Sequence, residues 1–183
     1  MAAASRLQYA YLSRLSQPST DRVLYRTAAR VAPKQIVEFG MGSLERTLRL
    51  ISVCQRFAGK SPVTYAGFDW FEERADRAEA VSLIEAHRQL KAAGIQARLT
   101  PGGPIAALPM VANSLMGADL VLLSDEVSDE MLSPAWFYLP RLLHAGSTVF
   151  RLHADGAGSA KWQPMELSQI AQRAEAAKPA AAA

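Results

Sequence analysis

The sequence predicts an α/β protein: a doubly wound, mainly parallel five-stranded sheet of order 3-2-1-4-5, with helices on both faces. It also predicts a helical N-terminal extension over 1–33 and no C-terminal antiparallel hairpin. Three observations lead there. Between residues 35 and 70 a short apolar run meets a glycine pair, Gly40 and Gly42, then a helical pattern, then a second apolar run ending on Asp69. Strand, glycine turn, helix, strand, acid is the order of a nucleotide-cofactor half-site. Residues 118–123 form a nearly unbroken apolar run, which suits a strand covered on both faces. Five such runs alternate with helix-periodic segments, which implies a parallel sheet. Right-handed crossovers then set the first strand at the centre, beside the second and fourth.

Residues 6–15 read as a helix with Leu7, Tyr11 and Leu15 on one face. Pro18 breaks it, and Thr20 or Asp21 then caps a second helix over 22–31, with Val23, Tyr25 and Ala29 available for burial. Pro33 stops that helix. The pair is expected to cover a sheet edge or a ligand pocket, or to join another subunit. The first strand spans 35–39. The helix over 43–58 carries Leu44, Leu48, Ile51, Cys54 and Phe57 at spacings of three and four, and Gly59 ends it. A strand over 63–68, a loop over 70–75, a helix over 77–93 and a short strand over 95–99 follow. The turn from Pro101 to Pro104 leads into a helix where Leu108, Val111 and Leu115 recur, and then comes the fourth strand. Ser133 as cap and Pro134 at the first position start the next helix, which Pro140 either kinks or restarts as a second half. The fifth strand spans 147–152. A glycine-rich loop over 155–159, a helix over 165–177 and a flexible low-complexity tail over 178–183 complete a single expected domain, 1–183.

Composition narrows the function classes. Half of the 183 residues are hydrophobic and a fifth are charged, an ordinary globular balance. No apolar stretch approaches the roughly 20 residues that cross a bilayer, and the start lacks the apolar core of a secretory leader. A cytoplasmic location is therefore expected, with no membrane partner. The net charge of +3 is spread among interleaved acids, so no nucleic-acid partner is expected. The single cysteine, Cys54, cannot form an intramolecular disulfide and falls on an apolar helix face.

The strand ends bring chemistry together. The crevice of such a sheet lies where the strand order reverses, at the ends of strands one and four. Glycine at 40 and 42 lets a ligand approach the amides that begin the helix. Asp69 ends the second strand, where a carboxylate can accept both hydroxyls of a ribose, and Trp70 follows, either to stack on an adenine or to pack in the core. Glu38 lies within an apolar strand; a buried carboxylate needs a partner, so it either faces the crevice or holds a backbone amide or an arginine such as Arg46. Ser124, Asp125 and Glu126 end the fourth strand.

The segments V-E-F-G-M-G-S-L, Y-A-G-F-D-W-F, A-D-L-V-L-L-S-D and L-P-R-L-L-H-A-G-S-T-V-F resemble the class I S-adenosylmethionine-dependent methyltransferases over about 35–152. The resemblance implies S-adenosylmethionine as cofactor and methyl transfer to a small-molecule acceptor. It implies cofactor binding by Glu38, Gly40, Gly42, Asp69, Trp70 and Ser124, with Ser124 and Asp125 toward the methionine moiety or the acceptor. Asp125 and Glu126 are the candidate general bases. Leu44 stands at the motif's third glycine position, and Gly102–Gly103 stand where many members carry an acid after strand three. No strand pair is expected after strand five. These departures imply a trimmed member, or one that has lost the activity.

No metal site is expected. Asp125 with His153 and Asp155 comes nearest to an oxygen-rich magnesium set, but three ligand types in two loops are a loose pattern. His87 and His144 read as helix residues rather than ligands. The alternative function is a non-catalytic Rossmann-like module that binds a nucleotide or a partner, and a homo-oligomer through the N-terminal helices is the expected assembly if one forms. A nicotinamide-dependent oxidoreductase ranks behind both, because that fingerprint's third glycine is also missing.

Overall fold

The structure, a computed structural model, describes residues 3–42, 44–74, 81–103, 105–154 and 160–177. Six strands form one sheet: β1 (Gln35–Phe39), β2 (Thr64–Asp69), β3 (Gln96–Pro101), β4 (Leu120–Leu123), β5 (Thr148–Ala154) and β6 (Ala160–Met165). Their order is β3-β2-β1-β4-β5-β6. The first five run parallel, with Ile36 beside both Tyr65 and Leu120. The expected five-stranded sheet without a C-terminal hairpin is overturned by β6, which pairs antiparallel with β5 from Val149↔Met165 to Ala154↔Ala160. Only Trp162 of β6 is buried, and Pro164 sits within it. Proline is tolerated there because β6 is an edge strand and needs donors on one side only.

The strand pleat divides the interior into two clusters. Ile36, Leu120, Leu122 and Phe150 face the helices α1 (Arg6–Arg14), α2 (Arg22–Val31), α3 (Leu44–Phe57) and α4 (Leu83–Ala92). Val37, Phe39, Val121, Leu123 and Val149 face α5 (Leu108–Val111), α6 (Asp129–Ala135) and α7 (Leu167–Ala176). Alternate residues of one strand thus feed opposite cores, as a doubly covered sheet requires.

Several element boundaries differ from expectation for local reasons. Helix α6 starts at Ser128, whose side chain accepts the Met131 amide, with Asp129 and Glu130 in its first turn. That cap and the acids at the positive helix end win over Ser133–Pro134, and the helix ends one residue after Pro134. A 3₁₀ turn, Leu139–Leu142, follows. Helix α4 starts after Ser82, which accepts the Glu85 amide; the expected start near 77 lies outside the described residues, as do the loop 155–159 and the tail 178–183. Asp21 stands at the N-cap position of α2, but its side chain makes no capping bond. It is drawn instead to β6, accepting from Trp162 Nε1 at 3.1 Å. The N-terminal helices pack on α3: the Ala4 amide donates to the Ser52 carbonyl at 2.9 Å, and Leu12, Leu24, Tyr25 and Ala28 belong to the α3-side core. The stripe Leu7, Tyr11, Leu15 faces outward, 84%, 51% and 66% exposed.

Candidate functional site

The ends of β1, β2 and β4 meet at the turn Gly40-Met41-Gly42. The Gly40 amide donates to the Phe68 carbonyl at 2.8 Å, and the Ser124 amide to the Phe39 carbonyl at 2.9 Å, so β1 is held between its neighbours to its last residue. The chain then reverses through φ of +78° at Gly40 and +54° at Gly42, left-handed values that only glycine adopts at little cost. The space is tight as well: a Cβ on Gly40 would lie 2.0 Å from Ser124 Oγ. That hydroxyl is buried and finds no hydrogen-bond partner among the described residues.

Asp69 borders the same turn and is 3% exposed. Its Oδ2 accepts the Gly42 amide at 3.1 Å and its Oδ1 the Phe71 amide at 3.0 Å. Phe71 takes φ of +47°, an unusual value for a bulky residue, with its ring buried in the core. Arg74 Nη2 then donates to both carboxylate oxygens, at 2.6 and 2.8 Å. Arg74 Nη1 also pairs with Glu126. Burial pulls the Arg74 guanidinium pKa down, but the bonds to Glu126 and Asp69 outweigh it and the net shift is upward. The Glu126 carboxylate lies 3.8 Å from where a Gly42 Cβ would stand. A carboxylate–guanidinium–carboxylate bridge thus runs from the end of β2 to the end of β4.

Glu38 points to α3. Arg46 Nη2 donates to its Oε1 at 2.5 Å, and Thr47 Oγ1 and Tyr65 OH donate to its Oε2 at 2.9 and 2.6 Å. Of the two sequence expectations, the partnership with Arg46 is the one the geometry displays. Burial first, and the Glu38 charge second, push the Tyr65 phenol well up, so it stays a neutral donor. Arg46 also donates to the Met41 carbonyl at 2.7 Å, bracing the glycine turn from behind. Its guanidinium lies 5.2 Å over the Trp162 ring and lines a chamber of about 470 Å³ with Asp21, Glu45, Arg49 and Leu152. Burial raises the Asp21 carboxyl pKa, against the lowering bond from Trp162.

On the other side of Asp69, Trp70 packs on Gly103, where a Cβ would come within 3.0 Å of the ring. Trp70 lines a mainly apolar cleft of about 300 Å³ with Ile105, Pro109, Met131 and Pro134. Asp125 is exposed beside Ser124. Asp129, outside the expected set, pairs with Arg151 at 2.6 Å, and that bond holds its carboxyl below the usual range. Among the described residues no group of three or more histidine, cysteine or acidic side chains is arranged to hold a metal. His153 is exposed on β5, and Asp155 lies outside the described residues. Burial pushes the Cys54 thiol up to about 12, so it is an inert core group.

Sequence reasoning missed Arg74. Its only signal is a lone cation five residues beyond the acid of β2, in D-W-F-E-E-R, and its aim depends on the left-handed turn at Phe71.

No protein-family model matches the chain, and no curated protein matches it in sequence. Solved structures do match. The O-methyltransferase TomG from Streptomyces achromogenes, involved in tomaymycin synthesis and solved in complex with SAM, superposes with a TM-score of 0.54 at 14% identity over 95% of this chain and 78% of that one. The O-methyltransferase from Bacillus cereus, in complex with SAH, gives 0.52 at 14% identity over 96% and 81%. At such identities the likeness is one of architecture: the chain has the class I methyltransferase fold. No helix among the described residues is long and apolar enough to cross a membrane.

Proposed function

We propose that this chain is an S-adenosylmethionine-dependent methyltransferase acting on a small-molecule acceptor. One observation carries the reading: Asp69, at the end of β2, is tied to the Gly42 amide of the first strand–helix turn, at the point where the strand order reverses. The residues there suit the cofactor. Glycine at 40 lets the turn pass against Ser124, where a Cβ would collide; Ser124 offers a buried hydroxyl without a partner among the described residues, and Asp69 is an acceptor matched to a diol. Asp69 would hold the ribose and Trp70 would border the adenine. The turn amides of Gly40 and Gly42, with Ser124, would hold the methionine end, and Glu38 would act behind them by fixing Arg46 on the Met41 carbonyl. The bound cofactor supplies an electrophilic methyl group. What the protein adds is chiefly position, and Asp125 or Glu126 would take the acceptor proton, an effect of roughly 10²–10⁴-fold where a base is needed.

Calorimetry with S-adenosylhomocysteine tests this reading. Saturable binding is expected, weakened at least about tenfold in Asp69→Ala, where the charge-assisted bonds are lost. No heat at millimolar ligand from the wild type and from Arg74→Ala alike, the variant in which Asp69 is freed, would remove the reading. One observation favours a second reading, a non-catalytic Rossmann-like module: both oxygens of Asp69 are already taken up by Arg74. In that case Gly42→Val would lower folding stability and leave ligand binding, if any, unchanged. A cytoplasmic location accords with one cysteine buried as a neutral thiol. The outward stripe of Leu7, Tyr11 and Leu15 supports self-association through α1, and a monomer by sedimentation at micromolar concentration would exclude it.

A further inference from the structure

We infer that Arg74 sets the affinity of the crevice: it holds, on Asp69, the acceptor positions that a ribose diol needs, so that a nucleoside ligand binds only by displacing it. The inference rests on the proposed role of Asp69 as the ribose acceptor.

The argument is a count of lone pairs. A carboxylate offers about four acceptor positions, two on each oxygen. The Gly42 amide takes one on Oδ2 and the Phe71 amide one on Oδ1. Arg74 Nη2, at 2.6 and 2.8 Å, takes one more on each. Nothing remains for two hydroxyl donors. The two amides belong to the turns that shape the site and cannot withdraw while those turns persist. Arg74 is a side chain, and it alone of the three donors can rotate away. Its second partner, Glu126, keeps it across the mouth of the crevice: the Glu126 carboxylate stands 3.7 and 3.8 Å from the positions of a Cβ on Gly40 and Gly42. The bridge is shielded, since the Arg74 side chain is 15% exposed and that of Asp69 4%. Screening by water, which makes most surface pairs nearly worthless, is therefore reduced. Ligand binding must offset the loss of that bridge, and the observed affinity is lowered by the fraction of molecules in which Asp69 is free.

Calorimetry with S-adenosylhomocysteine on the wild type, Arg74→Ala, Arg74→Lys and Asp69→Asn, with the double variant, tests the inference. Arg74→Ala is expected to bind at least about tenfold tighter than wild type. Arg74→Lys should fall between them, because an ammonium cannot span both oxygens as a guanidinium does; it also serves if the alanine variant folds poorly. In the Asp69→Asn background the arginine substitution should give no gain, a coupling that a purely structural staple would not show. Binding by Arg74→Ala alone, with a silent wild type, supports the inference in its strongest form. Binding by wild type with equal or weaker binding by both Arg74 variants overturns the inference and leaves the methyltransferase reading standing. Silence from every variant overturns both.

Discussion

At the scale of the residue, Glu38 shows how a charge is accommodated in a core. It is fully buried, yet three donors reach it, and its guanidinium partner is 13% exposed. Removing the acid would strand Arg46 and free Thr47 and Tyr65 from their acceptor. Glu38→Ala is expected to cost about 3–5 kcal/mol, read from urea denaturation, since breaking one side of a buried pair leaves the other uncompensated. Glu38→Gln, which keeps an acceptor oxygen, should lose less. The pairing was legible in the sequence as one alternative: an acid inside an apolar strand needs a partner, and Arg46 stands in the first turn of α3. Its direction was left open between the crevice and a partner; the structure settles it, since Glu38 shares a pleat face with Ile36, which packs toward α3. Arg74 was not legible, because its reach to Asp69 depends on Phe71 taking a left-handed conformation that nothing in D-W-F-E-E-R announces.

At the scale of the element, β6 is the instructive strand. Its outer residues are polar or part-exposed, it contains a proline, and only Trp162 is buried. Neither an apolar run nor a clean alternation marks it, so the sequence alone reads as loop and helix. The parallel strands β1 and β4 were readable for the opposite reason: both faces are covered, and the composition shows it. β6 is held by its antiparallel ladder to β5, and its one buried side chain adds a hydrogen bond from Trp162 Nε1 to Asp21. Trp162→Phe is expected to cost about 1–3 kcal/mol by leaving the buried acid without its donor. The cost should depend on pH. Burial raises the folded-state pKa of Asp21, so ionising it withdraws stability as pH rises through that pKa, and losing the donor raises the pKa further. Denaturation of both proteins at pH 4 and pH 7 should show the larger gap at pH 7, and an equal gap would discount the Asp21 bond.

At the scale of the whole molecule, the N-terminal helices belong to the fold and are no appendage. Ala4, Leu12, Leu24, Tyr25 and Ala28 are part of one cluster with Ile36, Leu50 and Trp162. A chain lacking residues 1–31 is expected to lose cooperative urea unfolding and expose apolar surface to a reporter dye such as ANS. A sharp transition in that variant would show the extension to be dispensable. Covering of a sheet edge or a pocket, or pairing with another subunit, were the roles anticipated for these helices; the contacts observed are packing on α3 and, through Asp21, a bond to the edge strand β6. The bond between Asp21 and Trp162 joins positions 141 residues apart. During translation the acid therefore emerges long before its donor: α1 and α2 can pack on α3 early, but the Asp21 contact can close only after β6 has left the ribosome. Damage at the turn that carries Asp21 should therefore be felt at β6, and damage at β6 in that turn.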